Sequence, residues 1–163
     1  ISQLDSNDDT PAMEQTNIFP ICVAEMNNIK KLQIKDGIEY KVEGDKENDV
    51  IYTNHNYLGL ILSHLLNNAN KFTDRGHIIL AFQVNYKEKN VVISVTDTGC
   101  GIPTDKKEWI FERFTKNNDF VPGSGLGLYL CRLIARRLNG DIILDTDYIN
   151  GARFVITLPI TQT

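Results

Sequence analysis

The sequence predicts an α+β fold, a two-layer α/β sandwich whose mixed, mostly antiparallel sheet is covered on one face by helices. Two observations carry this expectation. The stretches "NYLGLILSHLLNNANKF" and "SGLGLYLCRLIARRLN" repeat apolar residues at three- and four-residue steps, as helices with one buried face do. The strand-like stretches fall mostly in hairpin pairs and not singly between helices, which favours antiparallel pairing over a doubly wound sheet. With 163 residues and 42% hydrophobic content, the chain can build one real core.

The elements follow in order. "ISQLDSNDDTPAMEQ" is polar and acidic and reads as a frayed end plus a linker; the chain opens on Ile1 without an initiator methionine, which suggests a piece of a larger protein. In "NIFPICVAEMNNIKKLQI", Ile18, Ile21, Met26, Ile29 and Leu32 give a loose helical pattern, and Pro20 is tolerated near its start. "GIEYKVEG" and "DVIYTN" read as short strands. The next helix places Leu58, Leu62, Leu65, Ala69 and Phe72 on one buried face, with Asn54 at a capping position. "HIILAFQVNY" and "NVVISVTD", joined by "KEK", form a hairpin. "TDKKEWIFERF" reads as a helical turn or two, and "TKNNDFVPGSG" as a polar, mobile loop. The last helix carries Leu126, Leu130, Leu133, Ile134 and Leu138 on one side, with Gly140 as its C-terminal cap. "DIILDTD" and "ARFVITLP" close the chain as a hairpin turning at Asn150-Gly151. No internal repeat is present.

Composition excludes several function classes. A formal net charge of −4 argues against nucleic-acid contact through a basic face. Cys22, Cys100 and Cys131 have neither metal-ligand nor disulfide spacing and read as reduced thiols in a cytoplasmic setting. His55, His64 and His77 make no metal motif. No apolar run is long enough to span a bilayer. The piece is expected to be soluble and cytoplasmic, with any inner-membrane anchor elsewhere in the parent.

Three features point to a phosphate ligand. The stretch "PGSGLGLYL" sets Gly123, Gly125 and Gly127 immediately before an apolar helix, where backbone N–H groups can meet an anion. The G-x-G-x-x-G order of a dinucleotide fold is absent, and no lysine follows as a Walker loop requires. A cradle without its own lysine survives, beside the plainer reading of a glycine-rich turn. In "VVISVTDTGCGIP", Asp97 ends the apolar row of Val91, Ile93 and Val95, and Gly99 and Gly101 follow it. A carboxylate there must meet donors: an adenine amino group is one, a turn it caps another. His64, Asn68 and Lys71 stand at i, i+4 and i+7, within about 60° around the helix axis. That stripe could hold a hydrated Mg²⁺ and a phosphate, or be a solvated face.

"HLLNNANKFT", "DTGCGIP", "IFERF" and "GSGLGLYL", in this order, resemble the ATP-binding (catalytic) domain of bacterial two-component sensor histidine kinases, in the GHKL superfamily with gyrase B, Hsp90 and MutL. The resemblance runs from about Asn17 to Pro159 and implies the Bergerat fold, with residues 17–163 as the ATP-binding domain and 1–16 as the end of a dimerisation helix and linker. It implies that Asn68 binds Mg²⁺, Lys71 reaches the phosphates and Phe72 lines the pocket. Asp97 would read the adenine amino group, with Gly99, Gly101 and Ile102 shaping the wall. Phe111 and Phe114 would anchor a lid spanning Thr115 to Pro122, ordered by nucleotide, and Arg113 would face the γ-phosphate. Gly123, Ser124, Gly125, Leu126, Gly127 and Leu128 would wrap the phosphates.

His64 stands where such kinases usually carry Asn and their hydrolytic cousins Glu, which leaves it as metal-side partner, weak base or bystander and argues against free-standing ATP hydrolysis. The implied activity is transfer of the γ-phosphoryl group of Mg-ATP to a histidine on a dimerisation domain absent from this piece, and onward to a response regulator. The fragment itself is expected to be monomeric and unable to phosphorylate itself, and its parent a homodimer. The rivals are a degenerate module serving protein interaction, and a serine kinase or ATPase of the same superfamily.

Overall fold

The computed structural model describes residues 11–112 and 127–161. Among these the chain runs β1 (Glu14–Asn17), α1 (Ile18–Gln33), β2 (Ile38–Glu43), β3 (Val50–Thr53), α2 (His55–Phe72), β4 (Gly76–Asn85) and β5 (Asn90–Asp97). Two 3-10 turns (Thr104–Lys106 and Trp109–Phe111) lead on to α3 (Gly127–Arg137), β6 (Asp141–Leu144) and β7 (Arg153–Pro159). The main sheet has the order β2-β4-β5-β7-β6, and β1 pairs with β3 in a separate two-stranded sheet. All neighbours are antiparallel except β2 and β4. β2 reaches β4 only through β3 and α2, the long connection that parallel pairing demands.

Period-two alternation gives the sheet one apolar face. Ile78, Leu80 and Phe82 on β4, Val91, Ile93 and Val95 on β5, and Phe154, Ile156 and Leu158 on β7 are buried in a single core with all three helices. Their alternates form an open face, where Val92 keeps 39% of its surface exposed. The expected two-layer sandwich, helices on one face only, is therefore the observed one.

α2 is the central helix. Its start is closed as expected, the Asn54 carboxamide oxygen accepting the Tyr57 N–H at 2.9 Å. Its buried arc is wider than the single stripe read from the sequence: Ile61, Leu66 and Asn70 are buried beside Leu58, Leu62, Leu65 and Ala69. α1 packs along one flank and α3 along the other, so α2 has a partner on three sides. On α3 the buried residues are Leu128, Leu130, Cys131, Ile134 and Ala135, whereas Leu133 is only half-buried. The start of α1 is closed from a distance. Asn17 makes no capping bond, and the buried Asp49 carboxylate accepts the Phe19 N–H and the Asn17 side-chain N–H, both at 2.9 Å.

Three local expectations change: the linker, the Asn150-Gly151 turn and the Gly140 cap. Glu14 to Thr16, placed in the linker, form a strand with Asn17 because β3 offers them a ladder. β2 and β3, adjacent in sequence, pair with different partners. Asn150-Gly151 is not a tight two-residue turn, since β6 and β7 are first paired at Leu144 and Phe154 and a long loop joins them. At the end of α3 the left-handed residue is Asn139 (φ 70°), not Gly140. The Asn139 N–H donates to Arg136 O at 3.1 Å and the Gly140 N–H to Ala135 O at 2.9 Å, a Schellman closure. Gly140 is there for space, because a Cβ would overlap the Thr157 carbonyl on β7.

Gly140→Ala is accordingly expected to destabilise the domain by about 1–3 kcal/mol through overpacking. Asn139→Gly should stay within about 0.5 kcal/mol of the parent. Urea unfolding of both variants checks the assignment; equal losses would contradict it.

Candidate functional site

The site forms where three chain segments meet at the end of the central strand. The last turns of α2 supply Asn68 and Phe72. The end of β5 and its following loop supply Asp97, Cys100, Gly101 and Ile102, and the start of β7 supplies Ala152 and Phe154. Together they line a small, mainly apolar pocket.

Asp97 is the charged group in this wall, and only 5% of it is exposed. Its Oδ1 accepts the Gly99 N–H at 2.8 Å and the Ala152 N–H at 3.1 Å. Its own N–H donates to Ala152 O at 2.9 Å, and its carbonyl accepts the Tyr148 hydroxyl at 2.8 Å. Among the described residues Oδ2 has no partner, which leaves one acceptor for whatever fills the pocket. Burial raises the Asp97 pKa above the usual carboxylate value, and the two backbone donors offset that rise in part.

The loop after Asp97 closes tightly on α2. The Cys100 N–H donates to Phe72 O at 3.3 Å, and a side chain at Gly99 would overlap that same carbonyl. Gly99 is thus required by contact with the helix end, not by a ligand. The helix end is also held from the opposite side. Lys35 Nζ donates to the carbonyls of Asn70 and Thr73 at 2.6 and 3.0 Å, and the Tyr40 hydroxyl donates to the Asn70 side chain at 2.7 Å. Lys35 therefore satisfies two of the carbonyls that every helix C-terminus leaves over, and a cation suits that end of the dipole.

Of the residues singled out from the sequence, Asn68, Phe72, Asp97, Gly101 and Ile102 line the pocket together, with Gly99 directly behind. Lys71 stands exposed on the last turn of α2, outside this wall. Phe111 lies one layer back, edge-on to Phe154 with ring centres 6.1 Å apart, and the Arg132 guanidinium sits 4.0 Å over its other side. His64 is half-buried beside the start of α3: a Cβ on Gly127 would stand 3.7 Å from its Nδ1. Burial lowers the His64 pKa, which keeps the ring neutral at pH 7. Leu128 is buried in the core and holds α3 down. Arg113, Phe114, Gly123, Ser124, Gly125, Leu126 and the lid from Thr115 to Pro122 lie outside the described residues.

Sequence reasoning missed Cys100, Ala152, Phe154 and Tyr148 as site residues. Phe154 had a signal in the alternation of "ARFVITLP", but nothing in the sequence ties it to Asp97. That link depends on the β5–β7 register, in which Thr96 faces Arg153. Among the described residues no cluster of histidines, cysteines and carboxylates could hold a metal ion, and no helix is long and apolar enough to cross a membrane.

The Asp97 shift has a definite sign. With a folded-state pKa above the unfolded one, the folded chain binds more protons between the two values, so stability falls as pH rises through that window and stays low above it. Asp97→Asn keeps an acceptor for both backbone donors without the buried charge. It should be at least as stable as the parent at pH 7, with the margin shrinking as pH is lowered through the Asp97 titration. Thermal unfolding of both proteins from pH 7 to pH 4 checks this; a margin that grows on acidification would contradict it.

Comparison with known proteins agrees with this fold. The family described as histidine kinase-, DNA gyrase B-, and HSP90-like ATPase matches residues 53–162, more than half of the chain. The adaptive-response sensory kinase SasA of Trichormus variabilis is 37% identical over 124 residues, 74% of this chain and 31% of SasA. The autoinducer 2 sensor kinase/phosphatase LuxQ of Vibrio harveyi is 36% identical over 133 residues, 76% of this chain and 16% of LuxQ. The chain thus spans less than a third of either relative. Among solved structures, the catalytic domain of histidine kinase ThkA superposes with a TM-score of 0.81 at 26% identity, covering 92% of this chain and 99% of that one. Full-length ShkA in complex with AMPPNP gives a TM-score of 0.87 at 23% identity, over 99% of this chain and 34% of that one, a likeness of fold. With the family pattern spanning both α2 and the Asp97 strand, the chain belongs to the histidine kinase-, DNA gyrase B-, and HSP90-like ATPases, as an ATPase domain of the sensor histidine kinase type.

Proposed function

We propose that this domain binds Mg-ATP in the pocket over Asp97 and, within its parent protein, delivers the γ-phosphoryl group to a histidine on a dimerisation domain, from which a response regulator takes it. The observation that carries the reading is the buried Asp97 carboxylate: one oxygen is tied to the backbone, the other left as an acceptor in a mostly apolar pocket. An adenine ring offers that combination of a planar apolar face and an amino donor. Phe72, Ile102 and Phe154 would cover the ring, and Oδ2 of Asp97 would accept from its amino group.

The phosphates would then run along α2 past Asn68 toward His64 and the start of α3. A helix N-terminus favours anions there. Asn68 fits a Mg²⁺ ion as a single amide-oxygen ligand, because Mg²⁺ retains several waters and takes phosphate oxygens for the rest. Bound there, the ion would neutralise charge on the transferring phosphoryl group. The neutral His64 imidazole would hydrogen-bond to a phosphate oxygen or a metal-bound water. Lys71, exposed and free to swing, would reach the phosphates from the helix end. Arg113 and the glycines from Gly123 to Gly127 would complete the phosphate side. Catalysis would come from positioning and charge neutralisation, as in phosphoryl transfer generally.

Calorimetric titration of the domain with ADP and an unhydrolysable ATP analogue, with and without Mg²⁺, tests the proposal. Binding that strengthens with Mg²⁺ is expected, and no heat in any condition would overturn it. Asp97→Asn should weaken ADP binding by about 10- to 100-fold, the worth of a charge-assisted hydrogen bond at about 1.5–3 kcal/mol. An unchanged affinity would remove adenine from this pocket.

A further inference from the structure

We infer that Tyr148 is a positioning residue for base selectivity, holding the Asp97 carboxylate at the angle from which it distinguishes adenine from other bases. The inference rests on the proposed reading of Asp97 as the adenine acceptor and concerns Tyr148, in the loop between β6 and β7, which that reading does not use.

Asp97 ends β5, paired with Ile78 of β4 and one residue beyond the last position paired with β7, Thr96 opposite Arg153. The Tyr148 hydroxyl donates to the Asp97 carbonyl at 2.8 Å. That carbonyl belongs to the peptide joining Asp97 to Thr98, so anchoring it fixes the Asp97 ψ angle and with it the path of the next two residues. The Gly99 N–H lies on that path and donates to Asp97 Oδ1 at 2.8 Å. One hydroxyl thus steadies the shorter of the two bonds that set the carboxylate's rotation, the other coming from the Ala152 N–H. With the N–H, the carbonyl and Oδ1 all engaged, Oδ2 is the single polar atom of Asp97 left for a ligand among the described residues.

Tyr148 is itself held in place. The Arg153 guanidinium stacks 4.4 Å over its ring, and Arg153 Nε donates to Thr96 Oγ1 at 2.9 Å. Arg153 also pairs with the Asp145 carboxylate at 3.6 Å, and the Asp145 N–H donates to Arg153 O at 2.8 Å. The loop approaches the strand end so closely that a side chain at Gly151 would overlap the Asp97 carbonyl. Asp97 and the residue before it are therefore held by this loop and by the first residue of β7. A hydrogen bond read by one oxygen is sensitive to angle, and a site built to pair with one group rejects an analogue that lacks it.

Tyr148→Phe removes the hydroxyl and keeps the ring under Arg153. Affinities for ADP and inosine diphosphate, whose base carries a carbonyl where adenine has the amino group, would be measured by calorimetry on the parent, on Tyr148→Phe, on Asp97→Asn and on the double variant. The parent is expected to prefer ADP. Tyr148→Phe should lose about 5- to 10-fold in ADP affinity while inosine diphosphate binding stays level, so that the preference shrinks. In the Asp97→Asn background the hydroxyl should make no further difference. A parent that prefers ADP with the same ratio in Tyr148→Phe, whether both affinities fall together or neither moves, would overturn the role of Tyr148 alone. A parent that binds both nucleotides equally would overturn the reading of Asp97 and this inference with it.

Discussion

A carboxylate buried at the tip of a central strand has to be answered by donors, and the architecture around the pocket follows from that demand. Asp97 lies at the end of β5, in the middle of the main sheet, where water cannot solvate it. Its answer comes from backbone on two sides: Gly99 from the loop it precedes and Ala152 from the approach to β7. Those bonds draw both loops inward and make them the walls of the pocket. The cost of burying the charge appears as a raised pKa, not fully compensated, as expected of a group whose remaining oxygen is left for a ligand.

The opposite wall is the end of a helix, and helix ends fray unless their carbonyls find partners. Here the carbonyls of Asn70, Phe72 and Thr73 are engaged by Lys35 and by the Cys100 N–H, groups that come from either side of α2. The last turn, which carries Phe72 and Lys71, is thereby pinned against the Asp97 loop. Apolar burial along the rest of α2, between α1 and α3 and over the sheet, supplies the rigid support on which that pinning depends.

The family match takes in every described segment that lines the Asp97 pocket. The matched residues 53–162 span α2, β5, α3 and β7, the elements that enclose it or flank its open end. His64 lies within the continuous helix α2, half-buried against the start of α3. Tyr148 and Arg153 add a support behind Asp97 that lies outside the short motifs by which the family resemblance is read.

Much of the domain was legible in one sequence. The 3.6-residue rhythm of α2 and α3, the alternation of β4, β5 and β7, the Asn54 cap and the residues Asn68, Phe72 and Asp97 are local signals, each expressed within a few positions by side-chain chemistry and period. What the chain order could not express is partnership across distance. That β1 joins β3, that Asp49 closes α1 and that Lys35 closes α2 depend on which surfaces meet after collapse. So does the placing of Ala152 and Tyr148 on Asp97, over fifty residues away. Hydrophobic periodicity says which face is buried and is silent on what lies against it; only packed tertiary structure supplies donors to a buried acceptor, because those donors are backbone groups that every residue carries alike.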